Sequence, residues 1–134
     1  MTLLVDTSVW SLALRKDGTT THPEVRALSQ ALEGASTVVT TGLVLQELLQ
    51  GFNGARAATA IVARFATLPI IAPDRTDHVA AAEIRNNCRR AGVQIGTIGA
   101  VLIQLCVRHD LILLATDQDF FHAMKQVPFR LWHS

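Results

Sequence analysis

Three acidic residues of this chain occupy positions where chemistry is easier to explain than packing. Asp6 ends the apolar run Leu3-Leu4-Val5, and Asp117 follows the apolar run Leu111 to Ala115 after one hydroxyl residue, Thr116. Each aspartate is accompanied by a hydroxyl, Ser8 in the first case and Thr116 in the second. Either aspartate alone is explained equally well as the cap of the helix that follows it. Two such endings in one chain point instead to a shared site. Glu47 adds a third carboxylate inside Leu43-Val44-Leu45-Gln46-Glu47-Leu48-Leu49, where the neighbours serve packing and a buried charge is costly. Carboxylates that converge repel one another, so the arrangement is favourable mainly when a cation neutralises them. Oxygen ligands alone favour Mg2+ or Mn2+, and no His/Cys spacing suggests zinc. The work such a site performs is phosphoryl chemistry, in which the metal orients a water and lowers its pKa. The five histidines, His22, His78, His109, His122 and His133, fall in helices, loops or the tail and suggest no general acid or base.

The elements that must position these residues follow from the hydrophobic pattern. Leu3–Val5, Thr37–Thr40 and Leu111–Ala115 are short aliphatic or β-branched runs and predict buried strands. Pro69–Ala72 is a weak strand candidate, and Phe129–Trp132 predicts an edge strand. Between them lie helical periodicities: Val9–Lys16; a helix opening at His22-Pro23-Glu24 and stopped by Gly34; Leu43–Gln50, closed by Gly51; and residues 55 to 66. A long helix capped by Asp74 ends at Gly92. Thr97–His109 is apolar nearly all round and predicts the most buried helix, and a last helix runs from Asp117 to about Lys125. Strands alternating with helices predict an α/β fold, a doubly wound and mostly parallel sheet of four or five strands flanked by helices. In such sheets ligands collect at the carboxyl ends of the strands, where Asp6 and Asp117 stand.

Composition sets the outer bounds. The 134 residues match one domain, 1–134, and 49% of them are hydrophobic, enough for a sizeable core. A formal net charge of +1 excludes a polycation that coats nucleic acid indiscriminately, so any such binding must come from local patches. Arg15 and Lys16 at the end of the first helix, and Arg85, Arg89 and Arg90 on the outward part of the long helix, are the candidate patches. Cys88 and Cys106 lack ligand-like spacing and read as reduced, buried thiols of a cytoplasmic protein. Asp6 interrupts the N-terminal apolar run too early for a signal peptide, and no stretch is long enough to span a membrane. Asp74, Asp77 and Asp110 are expected at caps or on the surface.

Four segments, taken together, resemble the successive motifs of the PIN-domain ribonucleases, and most closely those of the VapC-type toxins of toxin–antitoxin pairs. They are Val5-Asp6-Thr7-Ser8-Val9-Trp10, Gln46-Glu47-Leu48-Leu49-Gln50-Gly51, Ile95-Gly96-Thr97-Ile98, and Leu113-Leu114-Ala115-Thr116-Asp117-Gln118-Asp119-Phe120. The resemblance spans nearly the whole chain in the correct order. It implies a Mg2+-dependent endoribonuclease that cuts structured RNA such as tRNA or rRNA, a homodimer, and a small antitoxin whose tail enters the acidic groove. It also implies that Asp6 and Asp117 bind metal, that Glu47 shapes or binds it, and that Ser8 and Thr116 support them. On that reading the arginines and Lys16 hold the RNA backbone. The family pattern has an aspartate directly after Thr-Ile, whereas this chain has Gly99. The missing carboxylate is normally a principal metal ligand, so the resemblance also implies weak or absent cleavage, or a domain that binds antitoxin or RNA without cutting, unless Asp119 compensates. Two other chemistries fit poorly. Phosphoryl transfer through Asp6 as a nucleophile wants a second aspartate two residues on, where Ser8 stands. A dinucleotide site wants a glycine-rich loop after the first strand, and none follows.

Overall fold

The computed structural model describes residues 1–15 and 22–134, so Lys16 lies outside the described residues. Four strands, β1 (Thr2–Val5), β2 (Thr37–Val39), β3 (Ile112–Leu114) and β4 (Arg130–Leu131), form one parallel sheet in the order β2-β1-β3-β4. The predicted strand at Pro69–Ala72 is reduced to a single parallel bridge between Ile70 and Thr40. Its two hydrogen bonds run from Thr40 N–H to Pro69 O, 3.0 Å, and from Ile71 N–H to Thr40 O, 2.8 Å. Pro69 has no N–H to extend the ladder and Pro73 closes the segment, which holds the pairing to this one step.

Seven α-helices flank the sheet among the described residues: α1 (Thr7–Leu14), α2 (Pro23–Gln30), α3 (Gly42–Gly51), α4 (Ala55–Phe65), α5 (Arg75–Arg90), α6 (Thr97–His109) and α7 (Gln118–Ala123). A π-type turn, Ala31–Ala35, extends α2 and ends at Gly34, whose φ of 113° only glycine adopts cheaply. Gly92 ends α5 in the same way, with φ 79°. Leu3, Leu4, Val5, Leu113 and Leu114 are buried in the middle of the sheet, which is why these strands read as unbroken aliphatic runs. Six residues of α6 are buried, from Ala100 to Cys106, as its apolar pattern predicted. No helix among the described residues is long and apolar enough to cross a membrane.

Helices α5 and α6 are tied by a polar cluster that the sequence did not disclose. Asp77, expected at a cap or on the surface, is fully buried. It does cap: it and Asp74 form a reciprocal capping box at the start of α5. It also accepts hydrogen bonds from Gln104, 3.2 Å, and from Arg108, 2.6 Å, both on α6. Burial pushes its carboxyl upward, but the Asp74 N–H, Gln104 and Arg108 together outweigh burial and hold it below the ordinary carboxylate value. Asp110 does lie at a cap, closing α6 in the left-handed region and pairing with Arg130 at 2.9 Å.

Candidate active site

The sheet order fixes where ligands gather. From β1 the chain runs outward to β2 on one side and later returns to β3 on the other, so the order reverses between β1 and β3. Open α/β sheets place their binding crevice at the carboxyl end of that switch point. Val5 pairs with Leu114 across it, and Asp6 N–H donates to Leu114 O at 2.8 Å. Asp6 therefore directly follows β1, and Thr116-Asp117 follow the adjacent end of β3 after Ala115.

Asp6 caps α1. Ser8 donates to its Oδ2 twice, from the backbone N–H at 3.2 Å and from the hydroxyl at 2.6 Å. The same Ser8 hydroxyl oxygen accepts from Thr116 N–H at 3.4 Å, stitching the end of β1 to the end of β3. Burial raises the Asp6 carboxyl above its ordinary value despite the hydrogen bonds from Ser8, and the nearby negative charge of Glu47 raises it further. Glu47 reaches this place from α3, whose apolar face at Val44 and Leu48 is fully buried. The half-buried Glu47 carboxylate accepts a 2.6 Å hydrogen bond on Oε1 from Thr7, the first residue of α1. Asp117 stands at the same end of the sheet but is exposed. Its Oδ1 accepts from Asp119 N–H at 2.9 Å and caps α7.

The structure thus brings Asp6, Ser8, Thr116 and Glu47 together, with Asp117 alongside on the solvent side. Among the described residues no three His, Cys, Asp or Glu side chains are grouped so as to hold a metal ion by themselves. Gly99 lies in the first turn of α6, and a Cβ built there would point at Phe120 of α7, 3.3 Å from Cζ. Sequence reasoning missed Thr7, which is separated from Glu47 by 40 positions. The only signal in the sequence was a second hydroxyl beside Asp6. Of the basic candidates, Arg15, Arg89 and Arg90 are exposed, and Arg90 donates to Asn87 at 2.7 Å. Arg85 does not share their outward position. It is half-buried, and its Nε donates to Ile95 O at 3.0 Å, anchoring α5 to the loop before α6.

These features define a doubly wound parallel α/β domain with an acidic pair at its topological switch point. Residues 3–126 match the profile of the PIN domain, and the chain belongs to that family. Comparison with curated proteins returns no match. Its fold is similar to several solved structures. VapBC2 from Rickettsia felis, bound to a DNA fragment from its promoter, aligns with TM-score 0.72 and 18% identity over 99% of this chain and 100% of that one. FitAcB from Neisseria gonorrhoeae aligns with TM-score 0.72 and 20% identity, covering 98% and 96%. VapC20 from Mycobacterium tuberculosis, described as a sarcin–ricin loop cleaving toxin, aligns with TM-score 0.71 and 24% identity, covering 90% and 94%.

Proposed function

We propose that this PIN domain is the toxin of a toxin–antitoxin pair, a Mg2+-dependent endoribonuclease acting on structured RNA, with cleavage weakened by Gly99. The observation that carries the reading is the Asp6–Glu47 pair, two partly buried carboxylates beside the central strand end of a PIN fold. A like-charged pair at partial burial is an unfavourable arrangement unless a cation shares it. The donor set suits Mg2+ or Mn2+, because Mg2+ is commonly held by one or two carboxylates and completes its octahedron with water and substrate phosphate. Asp6 and Glu47 would hold it, with Asp117 reached through water or by rotation of its exposed side chain. A divalent ion there would polarise the phosphodiester and lower the pKa of an attacking water. The protein's part is orientation. Ser8 fixes Asp6 through Oδ2, and its link to Thr116 N–H keeps the β1 and β3 ends in register.

The solved toxin–antitoxin complex of similar fold from Klebsiella pneumoniae supports a small antitoxin as partner, and a homodimer acting in the cytoplasm is part of the same proposal. Arg15, Lys16 and Arg89 are the remaining candidates for the RNA backbone, Arg85 being engaged with Ile95 O, and such contacts make binding fall steeply with salt. A second reading is favoured by one observation. Gly99 removes the carboxylate that the family pattern has at the start of α6, and on this reading the domain binds antitoxin or RNA without cutting. The experiment is a Mg2+ and Mn2+ titration followed by cleavage of total RNA, with the chain as it stands and with Gly99→Asp. Cleavage restored only by Gly99→Asp supports the weakened nuclease. Metal-independent binding of RNA with no cleavage by either form supports the second reading and overturns the first.

A further inference from the structure

We infer that Thr7 is a positioning residue that makes Glu47 a one-oxygen ligand and thereby selects a small divalent cation over Ca2+. The inference rests on the metal-binding reading above. Thr7 is the first residue of α1, and Asp6 already caps that helix, so the Thr7 hydroxyl is not needed for capping. It crosses instead to α3 and donates to Glu47 Oε1 at 2.6 Å, a short charge-assisted bond. Glu47 Oε2 accepts no hydrogen bond among the described residues. One oxygen is thus engaged by the protein and the other remains for a cation.

The consequence concerns the size of that cation. Ca2+ takes six to eight oxygens in a flexible shell and readily uses both oxygens of one carboxylate, whereas Mg2+ demands a small, near-ideal octahedron. Oε1 keeps one lone pair beyond the Thr7 bond, so bidentate use by Ca2+ would put metal and hydroxyl on the same oxygen, which the 2.6 Å bond disfavours by fixing the carboxylate's orientation. Threonine suits this task better than serine, because branching at Cβ restricts χ1 and holds the hydroxyl in place. Thr7 also joins two elements that each carry one carboxylate of the pair. Asp6 lies directly before α1 and Glu47 lies within α3, so the bond sets the spacing of the two charges as well as the orientation of one.

The test measures metal binding by the full chain, without any cleavage readout. Mn2+ binding is followed by electron paramagnetic resonance, with Mg2+ and Ca2+ as competitors, for the parent, Thr7→Val, Thr7→Ser and Thr7→Ala. Outer partners of metal ligands commonly contribute about 10- to 100-fold to affinity, so Thr7→Val should weaken Mn2+ at least about tenfold. The Mn2+-over-Ca2+ preference should fall as well, because the freed Glu47 can engage Ca2+ with both oxygens. Thr7→Ser should stay close to the parent, and Thr7→Ala should follow Thr7→Val, which covers the case in which valine disturbs the start of α1. In a Glu47→Gln background Thr7→Val should change nothing further. An unchanged Mn2+-over-Ca2+ preference in both Thr7→Val and Thr7→Ala overturns the role of Thr7 while leaving the metal site standing. A parent that binds no Mn2+, or binds it equally well after Asp6→Asn and Glu47→Gln, overturns the metal reading and this inference with it.

Discussion

Position 99 separates charge from shape in a single pair of substitutions. Gly99 is the third residue after the Gly96 cap of α6. A Cβ there would meet Phe120 Cζ at 3.3 Å, with Phe120 Cε1 and Ile95 Cγ2 both at 3.4 Å. Any side chain therefore asks the Phe120 ring to give by a few tenths of an ångström. Aspartate and asparagine make the same demand, and both recover only about 0.3 kcal/mol relative to glycine, being poor helix formers themselves. Their difference is charge alone. At the first turn of α6 the helix dipole favours the carboxylate by about 0.3–1 kcal/mol. On the reading proposed above a carboxylate at position 99 joins the acidic pair, and against the dipole then stands repulsion from Asp6, whose carboxyl is already raised by burial and by Glu47. A like charge several ångströms away at an effective dielectric near 20 costs about 2–3 kcal/mol. Repulsion wins, so with a chelator present Gly99→Asp should be less stable than Gly99→Asn by about 1–2 kcal/mol at low salt. For a domain of this size that is roughly 3–10 °C in melting temperature. Mg2+ at about 100 times its dissociation constant adds about 2.7 kcal/mol, enough to reverse the order. Gly99→Asn and the parent should respond less, having one carboxylate fewer. Scanning calorimetry of the three proteins, with chelator and with Mg2+, makes the comparison. If aspartate and asparagine melt together under both conditions, a carboxylate at position 99 does not sense the acidic pair and the reasoning is wrong.

Asp77→Asn should cost about 2–3 kcal/mol, or roughly 6–15 °C in melting temperature, since it weakens charged hydrogen bonds from a fully buried position. Because the folded carboxyl lies below 3.8, the parent's advantage should be complete above that pH and vanish as acid titrates the folded group, which pH-dependent unfolding will reveal. Asp6 has the opposite sign. Its folded carboxyl is raised, so metal-free Asp6→Asn should be more stable than the parent at neutral pH, and the gap should close as pH falls through the folded value toward 3.8. Burial pushes the Cys106 thiol up to about 12, so at pH 8 only on the order of one thiol in ten thousand is ionised. Iodoacetamide should label Cys106 only after denaturant is added, as followed by mass spectrometry.

The fold was legible where one residue type answers to one local rule. Leu3-Leu4-Val5 and Leu113-Leu114 are buried on both faces of the sheet and read as strands without further context. Gly34 and Gly92 stop helices by adopting positive φ, and Asp74 caps as its position before a periodic stretch implied. Pro69–Ala72 was less legible because its strand character depends on how far β2 can pair with it, and two prolines limit that to one bridge. What failed to show in the sequence was side chains choosing partners far along the chain. Asp77 finds Gln104 and Arg108 across 27 and 31 positions, and Arg85 turns inward to Ile95 O. Nothing local distinguishes these residues from solvated charges, since the partners exist only after α5 and α6 pack together.

The acidic site illustrates why a choice between cap and ligand was the wrong choice to pose from sequence. Asp6 caps α1, as its position before Thr7-Ser8 suggested, and both hydrogen bonds from Ser8 fall on Oδ2. Capping through one oxygen is compatible with a second task through the other. Asp117 caps α7 in the same fashion, so capping does not separate the two aspartates. Burial does. Asp6 is shielded enough for its carboxyl to rise and lies close enough to Glu47 to feel its charge, whereas Asp117 is exposed to solvent. On the metal-binding reading proposed above, with Gly99 supplying no carboxylate, cation binding would fall on Asp6 and Glu47. Both are held by hydroxyls of a single turn, Ser8 for the first and Thr7 for the second. The segment Asp6-Thr7-Ser8 therefore supplies one carboxylate and orients both, so on the proposed reading metal affinity should depend on the start of α1 rather than on the helix carrying Gly99.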